Sequence, residues 1–285
     1  MRTKKLRAKY SLLVLTDLSE VSLRALKSAV GLAKLIDGSI EVFHVSPSVS
    51  LADHDNQISA MRSIKEAEIV ARGTLQSLTD EIADEENLAI SYDFAFGNIK
   101  KEVKDHIEKV NPDIIVLGKR KNKLLKFGGD NLTQFILKEF PDNVFVAGRE
   151  KEFNAGTDIS LGFLGYVPEA NEKGIPLELN KNADEAVTLF SVRSSEGTQT
   201  EEEIPVTERS KGNFRKTVAF EFEQGADIYD RLSTYVAKSN IELLCMRNTK
   251  RKKDGQQPYD AIENNMEEVV QKLDIPMLIL SEKSY

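Results

Sequence analysis

Over its first 150 residues the chain alternates short apolar runs with longer amphipathic segments, and this order restricts the fold more than any other feature does. The runs are Tyr10–Leu15, Ile40–Val45, Leu88–Phe96, Ile114–Leu117 and Val144–Ala147, each too short to stand as a free helix. Between the first two, Leu23, Leu26, Val30, Ala33 and Ile36 recur at three- and four-residue spacing. That predicts a helix with Ser19 as its N-cap and Gly38 closing it. Further helical patterns cover Ile58–Ile82, the stretch set by Ile99, Val103 and Ile107, and Leu132–Phe140. Strands alternating with helices specify a parallel sheet with right-handed crossovers and helices on both faces.

The second half repeats the first imperfectly. The stretch from Phe94, strand, glycine, amphipathic helix, Asn, strand, recurs from Phe220 with a few residues inserted. DNVFVAGREK at Asp142 matches DIPMLILSEK at Asp274, IEVFHV at Ile40 matches VTLFSV at Val187, and SLLVLTD at Ser11 matches ISLGFLG at Ile159. This alignment sets Gly165 where the first half has Asp17, and Arg247-Asn248 where it has Gly118 and its neighbour. The copy is reduced. Residues 193–213 are polar, acidic and aperiodic, and read as a mobile loop in place of the long helix. Two prolines and a glycine erode the first helix over Pro168–Leu177. The expected fold class is α/β, with two tandem doubly wound five-stranded parallel sheets forming an intrachain pseudo-dimer. The expected domains are residues 1–150 and 157–285.

The functional candidate is Asn111–Asn131. Asn111-Pro112 stops a helix, because proline disfavours helical geometry in the residue before it. Ile114–Leu117 then reads as a strand buried on both faces, Gly118 ends it, and Lys119, Arg120, Lys121, Lys123 and Lys126 crowd the loop. Gly128-Gly129 precede the next helix. A strand, a glycine-containing loop and a helix N-terminus form the usual anion site of α/β folds, since free backbone N–H groups and the helix dipole converge there. A second basic cluster, Lys250–Lys253, follows the corresponding strand of the second half. The clusters read either as anion-binding patches or as two solvated loops.

With these pieces placed, residues 8–149 resemble the universal stress protein family, and the whole chain resembles a tandem member with a degenerate second domain. The resemblance rests on VLTDLSEVSLRALKSAVGLAK after the first strand, FHVSP after the second, NPDIIVLGKR at the fourth and NVFVAG at the last. It implies five-stranded parallel sheets of the adenine-nucleotide alpha-hydrolase-like type that pair through the last strand. In the nucleotide-binding branch it also implies ATP at the carboxyl ends of strands one and four. On that pattern Asp17 contacts the adenosine side, Val45 offers backbone contacts to adenine, and Gly118 is the first glycine of Gly-x2-Gly-x9-Gly-Ser/Thr. The chain departs from the rest of the motif. Lys121 stands at the second glycine, and the final pair falls on Gly129-Asp130, Asp130-Asn131 or Asn131-Leu132, depending on registration. The candidate cofactor-binding set is therefore Asp17, Val45, Gly118, Gly128, Gly129, Asp130 and Asn131, around a degenerate ATP motif. Asp17 can equally serve as a charge at a helix N-terminus.

Composition narrows the rest. With 40% hydrophobic and 30% charged residues the chain has the makings of folded domains rather than disorder. No apolar run approaches the roughly 20 residues of a membrane span, so no membrane association is expected. The formal net charge of −7 falls on residues 151–285, which argues against general nucleic-acid binding. Cys245 is the only cysteine and reads as a buried strand thiol, consistent with the cytoplasm, here of a bacterium. His44, His54 and His106 are scattered, with no His-x3-His spacing, so no metal site is expected. No nucleophile elbow or other catalytic signature occurs. The expected function is a non-enzymatic stress-response protein acting through an unidentified protein partner, as a monomer with its internal pseudo-dimer or as a homodimer. The alternative is an ATP-binding sensor with the nucleotide in the first domain and slow hydrolysis.

Overall fold

In the computed structural model the described residues are 8–47, 57–119, 132–140, 142–150, 152–154, 156, 159–166, 173–183, 186–193, 216–223, 225, 227–248 and 266–281. The first half runs β1 (Tyr10–Thr16), α1 (Glu20–Ile36), β2 (Gly38–Pro47), α2 (Gln57–Glu86), β3 (Ile90–Gly97), α3 (Ile99–Val110), β4 (Ile114–Gly118), α4 (Leu132–Glu139) and β5 (Asn143–Ala147). The second runs β6 (Leu161–Leu164), α5 (Ile175–Lys181), β7 (Ala186–Arg193), β8 (Lys216–Glu223), α6 (Ile228–Lys238), β9 (Leu243–Arg247), α7 (Met266–Lys272) and β10 (Met277–Leu280).

Local chemistry sets the element ends. The Ser19 side chain accepts from the Ser22 N–H at the start of α1, and the Asn98 side chain accepts from the Lys101 N–H at the start of α3. Asn111 ends α3 in the left-handed conformation, φ 45°, immediately before Pro112. The end of α1 differs from expectation: Asp37, φ 58°, is the left-handed C-cap, and Gly38 opens β2. A Cβ on Gly38 would lie 2.7 Å from a Leu12 methyl carbon, so that glycine serves close packing between β1 and β2.

Ten strands form one sheet in the order β3-β2-β1-β4-β5-β10-β9-β6-β7-β8. Each half has its own parallel five-stranded order, and the second mirrors the first. The halves join where β5 meets β10, the one antiparallel pair, with Met277 opposite Val146, Leu278 opposite Phe145 and Ile279 opposite Val144. Both apolar layers run through that joint. On one face Leu12, Ile114, Phe145, Leu278 and Leu243 share a core with α1, α2 and α5. On the other, Leu13, Ile115, Val146, Met277 and Leu244 share one with α3, α4, α6 and α7. Cys245 is fully buried in β9.

The strand registers correct the sequence alignment of the halves. Leu12 pairs with Ile114, and Leu161 pairs with Leu243. Counting from Leu12 and Leu161 sets Asp17 level with Tyr166, one residue beyond Gly165. The same slip affects the phenylalanines. Phe94 packs on the α1 and α2 face, whereas Phe220 packs on the α6 face. Matching Phe94 with Phe220 is therefore wrong by one residue, the smallest error that exchanges the two faces of a strand. The proposed 193–213 loop also begins late, because Arg193 is the last residue of β7; the remainder lies outside the described residues.

Candidate functional site

Chain direction across the sheet reverses between β1 and β4: β2 and β3 lie on one side, β5 on the other. Crevices at the carboxyl ends of strands at such a switch are the usual ligand sites of open α/β sheets. Thr16 pairs with His44, and the β1–β4 register carried two residues on sets Gly118 level with Thr16. The fold thus brings the exits of β1, β2 and β4, with Asp17, Val45 and Gly118, to one edge.

The β1–α1 turn is tightly built. Leu18 adopts a left-handed φ of 62°, and its N–H donates to the Thr16 hydroxyl at 3.0 Å. That hydroxyl donates to Ser22 Oγ at 2.9 Å, and the Ser22 hydroxyl donates to the Ser19 carbonyl at 2.9 Å. His44 Nδ1 donates to the Thr16 carbonyl at 2.9 Å. Asp17 is exposed and accepts from the Ser19 hydroxyl at 2.6 Å and the Ser19 N–H at 3.2 Å. Its carboxylate therefore organises the helix N-terminus. Val45 is buried in β2 and paired with Ala95 of β3.

Gly118 lies under α1. A Cβ there would sit 2.9 Å from the Val21 carbonyl oxygen, so the glycine is needed for the approach of β4 to the first turn of α1. Gly128, Gly129, Asp130 and Asn131 lie outside the described residues, as do the whole of the second basic cluster and all of the first beyond Lys119.

Lys119 departs from the solvated loop expected of it. It is buried, and its ammonium donates to the Leu273 carbonyl at the end of α7. Burial, reinforced by the Arg149 charge and opposed by Asp274, lowers its pKa to about 8. Arg149 reaches the same helix end: Nη2 donates to the Gln271 carbonyl at 2.8 Å, and its backbone N–H donates to Asp274 at 3.0 Å. Two cations of the first half thus meet the negative end of a helix of the second. Gln134 and Lys138 of α4 extend the seam to Glu267 at 2.6 and 3.4 Å.

In the second half, the two positions level with Asp17 and Gly118 are Tyr166 and Arg247. The Arg247 guanidinium lies over the Tyr166 ring, 4.5 Å from its centroid. The protein's own cation–π pair thus lies at the exits of β6 and β9.

Sequence reasoning missed a cluster on the α3 face. His106 is buried, with Nε2 2.7 Å from Glu41 Oε1 of β2 and Nδ1 3.8 Å from Asp93 Oδ2 of β3. Its ring stacks on Phe43 at 3.8 Å. Burial opposes ionisation of Asp93, but the Phe94 N–H and the Lys109 ammonium outweigh it and hold the carboxyl below its usual range. A signal was available. His106 follows Val103 at helical spacing on the apolar face of α3, and Glu41 alternates with Phe43 on β2.

Comparison with known proteins adds a family and a fold. The model of the universal stress protein family matches residues 11–146. A universal stress protein from Archaeoglobus fulgidus superposes with a TM-score of 0.61 at 14% identity, covering 95% of this chain and 98% of that one. A putative universal stress protein from Pseudomonas aeruginosa gives 0.55 at 13% identity, covering 95% and 92%. At these identities the likeness is one of fold, and it extends over both halves. No curated protein matches the sequence.

Proposed function

Residues 11–146 belong to the universal stress protein family, and from that premise we propose a non-enzymatic stress-response protein that acts by binding a protein partner. In this reading residues 1–150 and 157–285 are its two domains, the second a degenerate copy. The chain works as a self-contained pseudo-dimer in the bacterial cytoplasm. Among the described residues no helix is long and apolar enough to cross a membrane.

The observation that carries the reading is that side chains at the strand exits are engaged with other protein groups. Tyr166 and Arg247 pack together in the second half. In the first, Val21 lies against Gly118, and the Lys119 ammonium is committed to the Leu273 carbonyl. A lysine drawn into the seam is not offered to a phosphate. The test is to denature protein purified without added nucleotide, identify any released molecule by mass spectrometry, and titrate ATP with Mg²⁺ by calorimetry. No release and no heat are expected.

One observation favours the alternative, an ATP-binding sensor. Asp17 is exposed at the switch point on a turn fixed by Thr16, Ser19, Ser22 and His44. Preformed turns of this kind suit ligand contact, because little ordering remains to be done on binding. In that reading Asp17, Val45 and Gly118, with Gly128, Gly129, Asp130 and Asn131, hold the nucleotide. Co-purified adenine nucleotide, or ATP binding lost in Asp17→Ala, would establish the sensor and overturn the first reading.

A further inference from the structure

We propose that Glu41 and His106 bind a divalent transition-metal ion of the zinc class, with Asp93 as the outer carboxylate that orients the imidazole. The site lies toward the amino-terminal ends of β2 and β3, away from the exits that carry Asp17 and Gly118. Its residues come from three elements: Glu41 from β2, Asp93 from β3 and His106 from α3. One ligand-capable atom from each lies within 4.8 Å of the others.

The roles follow from the imidazole. A histidine can present one ring nitrogen to a metal only if the other carries the proton, and a carboxylate or carbonyl commonly receives that proton. Nε2 faces Glu41 at 2.7 Å and Nδ1 faces Asp93 at 3.8 Å, on opposite edges of the ring. One ion therefore cannot take both nitrogens. The shorter, Glu41 side is where an ion replaces the proton between carboxylate and imidazole, and Nδ1–H stays on the Asp93 side, 3.8 Å from Oδ2, where the carboxylate acts on it by its charge. Zinc bonds of about 2.0–2.2 Å at a tetrahedral angle separate two ligand atoms by roughly 3.3 Å, so the Glu41 oxygen has to swing off the imidazole axis by about 1–2 Å.

The surroundings fit this assignment. The ring is held in plane against Phe43, which fixes the direction of the Nε2 lone pair. Glu41 also lines a cavity of about 230 Å³ with Ser11, Ser39 and Ser91 among its walls, which gives its side chain room to shift. One imidazole and carboxylate oxygens suit zinc or manganese better than the soft thiolate metals. Lys109, 3.4 Å from Asp93, supplies part of the positive charge the carboxylates require when no ion is bound.

The test is calorimetric titration of the full chain with Zn²⁺ alone, repeated on Glu41→Gln and Asp93→Asn. Both are isosteric changes at partly exposed positions that spare the buried His106. Co²⁺ absorbance in the visible region reports the coordination number of the site independently. One equivalent of Zn²⁺ is expected, lost in Glu41→Gln and weakened roughly 10–100-fold in Asp93→Asn, the cost of removing an outer-shell partner. No heat from folded parent protein would overturn the site. Binding unchanged in both variants would move it elsewhere on the surface and overturn it equally. Equal loss in both would overturn the outer role given to Asp93.

Discussion

Replacing Lys119 with methionine tests the account of the seam, because the two side chains are similar in length and differ chiefly in the amine. Burial lowers the Lys119 pKa from 10.5 to about 8 in the folded protein. In the unfolded chain the amine keeps its ordinary value. Between those two values the unfolded chain binds more protons than the folded one, so stability rises with pH across that window. At about 1.4 kcal/mol per pKa unit, the linkage gives roughly 2 kcal/mol between pH 7 and pH 9.5. The amine retains some solvent contact, and screening reduces this to about 1 kcal/mol. Lys119→Met lacks the titration, so the difference in stability between parent and variant should shift by about 1 kcal/mol in favour of the parent over that range. Near pH 7 the variant also leaves the Leu273 carbonyl without its donor, a loss of about 1 kcal/mol that does not depend on pH. Urea unfolding followed by circular dichroism at both pH values separates the two effects. A difference that stays flat with pH, or shifts the other way, would refute the buried-amine reasoning.

Gly118→Ala should destabilise by about 1–3 kcal/mol, read as a fall in the thermal midpoint, because backbone must move to admit the methyl group. An unchanged midpoint would mean that β4 and α1 have slack between them. Glu178→Gln should flatten the acid limb of the stability curve. The hydrogen bond from Lys9 leads the interactions that hold the Glu178 carboxyl below its usual range, so its contribution is present above that range and fades as pH falls through the lowered value. Removal of residues 151–285 should give an associated species by light scattering rather than a monomer. It bares the β10-facing edge of β5 and the apolar surface that β9, β10 and α7 cover, and a monodisperse monomer would show that the seam is dispensable.

The strands of the first half were legible because each is an apolar run bounded by turn residues, and the buried β4 is the clearest of them. The close packing around glycines was not legible. Gly38 looks like a helix cap in the sequence, and only the neighbouring Leu12 side chain shows that it is a packing residue of β2. Lys119 failed differently. Among five basic residues nothing in the sequence marks Lys119 as folding inward, because its partner is a carbonyl 154 positions away. The Glu41, Asp93 and His106 cluster is equally nonlocal, although the histidine on an apolar helix face announced that it needed a polar neighbour. Of the seven candidate site residues, Asp17, Val45 and Gly118 meet at one edge as their strands dictate.

The contrast between the two halves bears on the role proposed for the second. Its first helix, α5, has seven residues against seventeen in α1, and Tyr166 and Arg247 occupy the positions level with Asp17 and Gly118. The part against the seam is intact: β9 and β10 are wholly buried at their centres, and α7 meets Lys119, Arg149, Gln134 and Lys138. A copy maintained for ligand binding would need its strand exits open, and one maintained as a cover for β5 needs only the last strands and the helix against them. The buried Lys119 fits the second case, since its partner at the end of α7 exists only when the halves are docked. Mutations in α7 should therefore be felt in the first half, through Lys119 and Arg149, before they are felt at the exits of β6 and β9. On the proposed reading the second half serves as a permanently attached cover for β5.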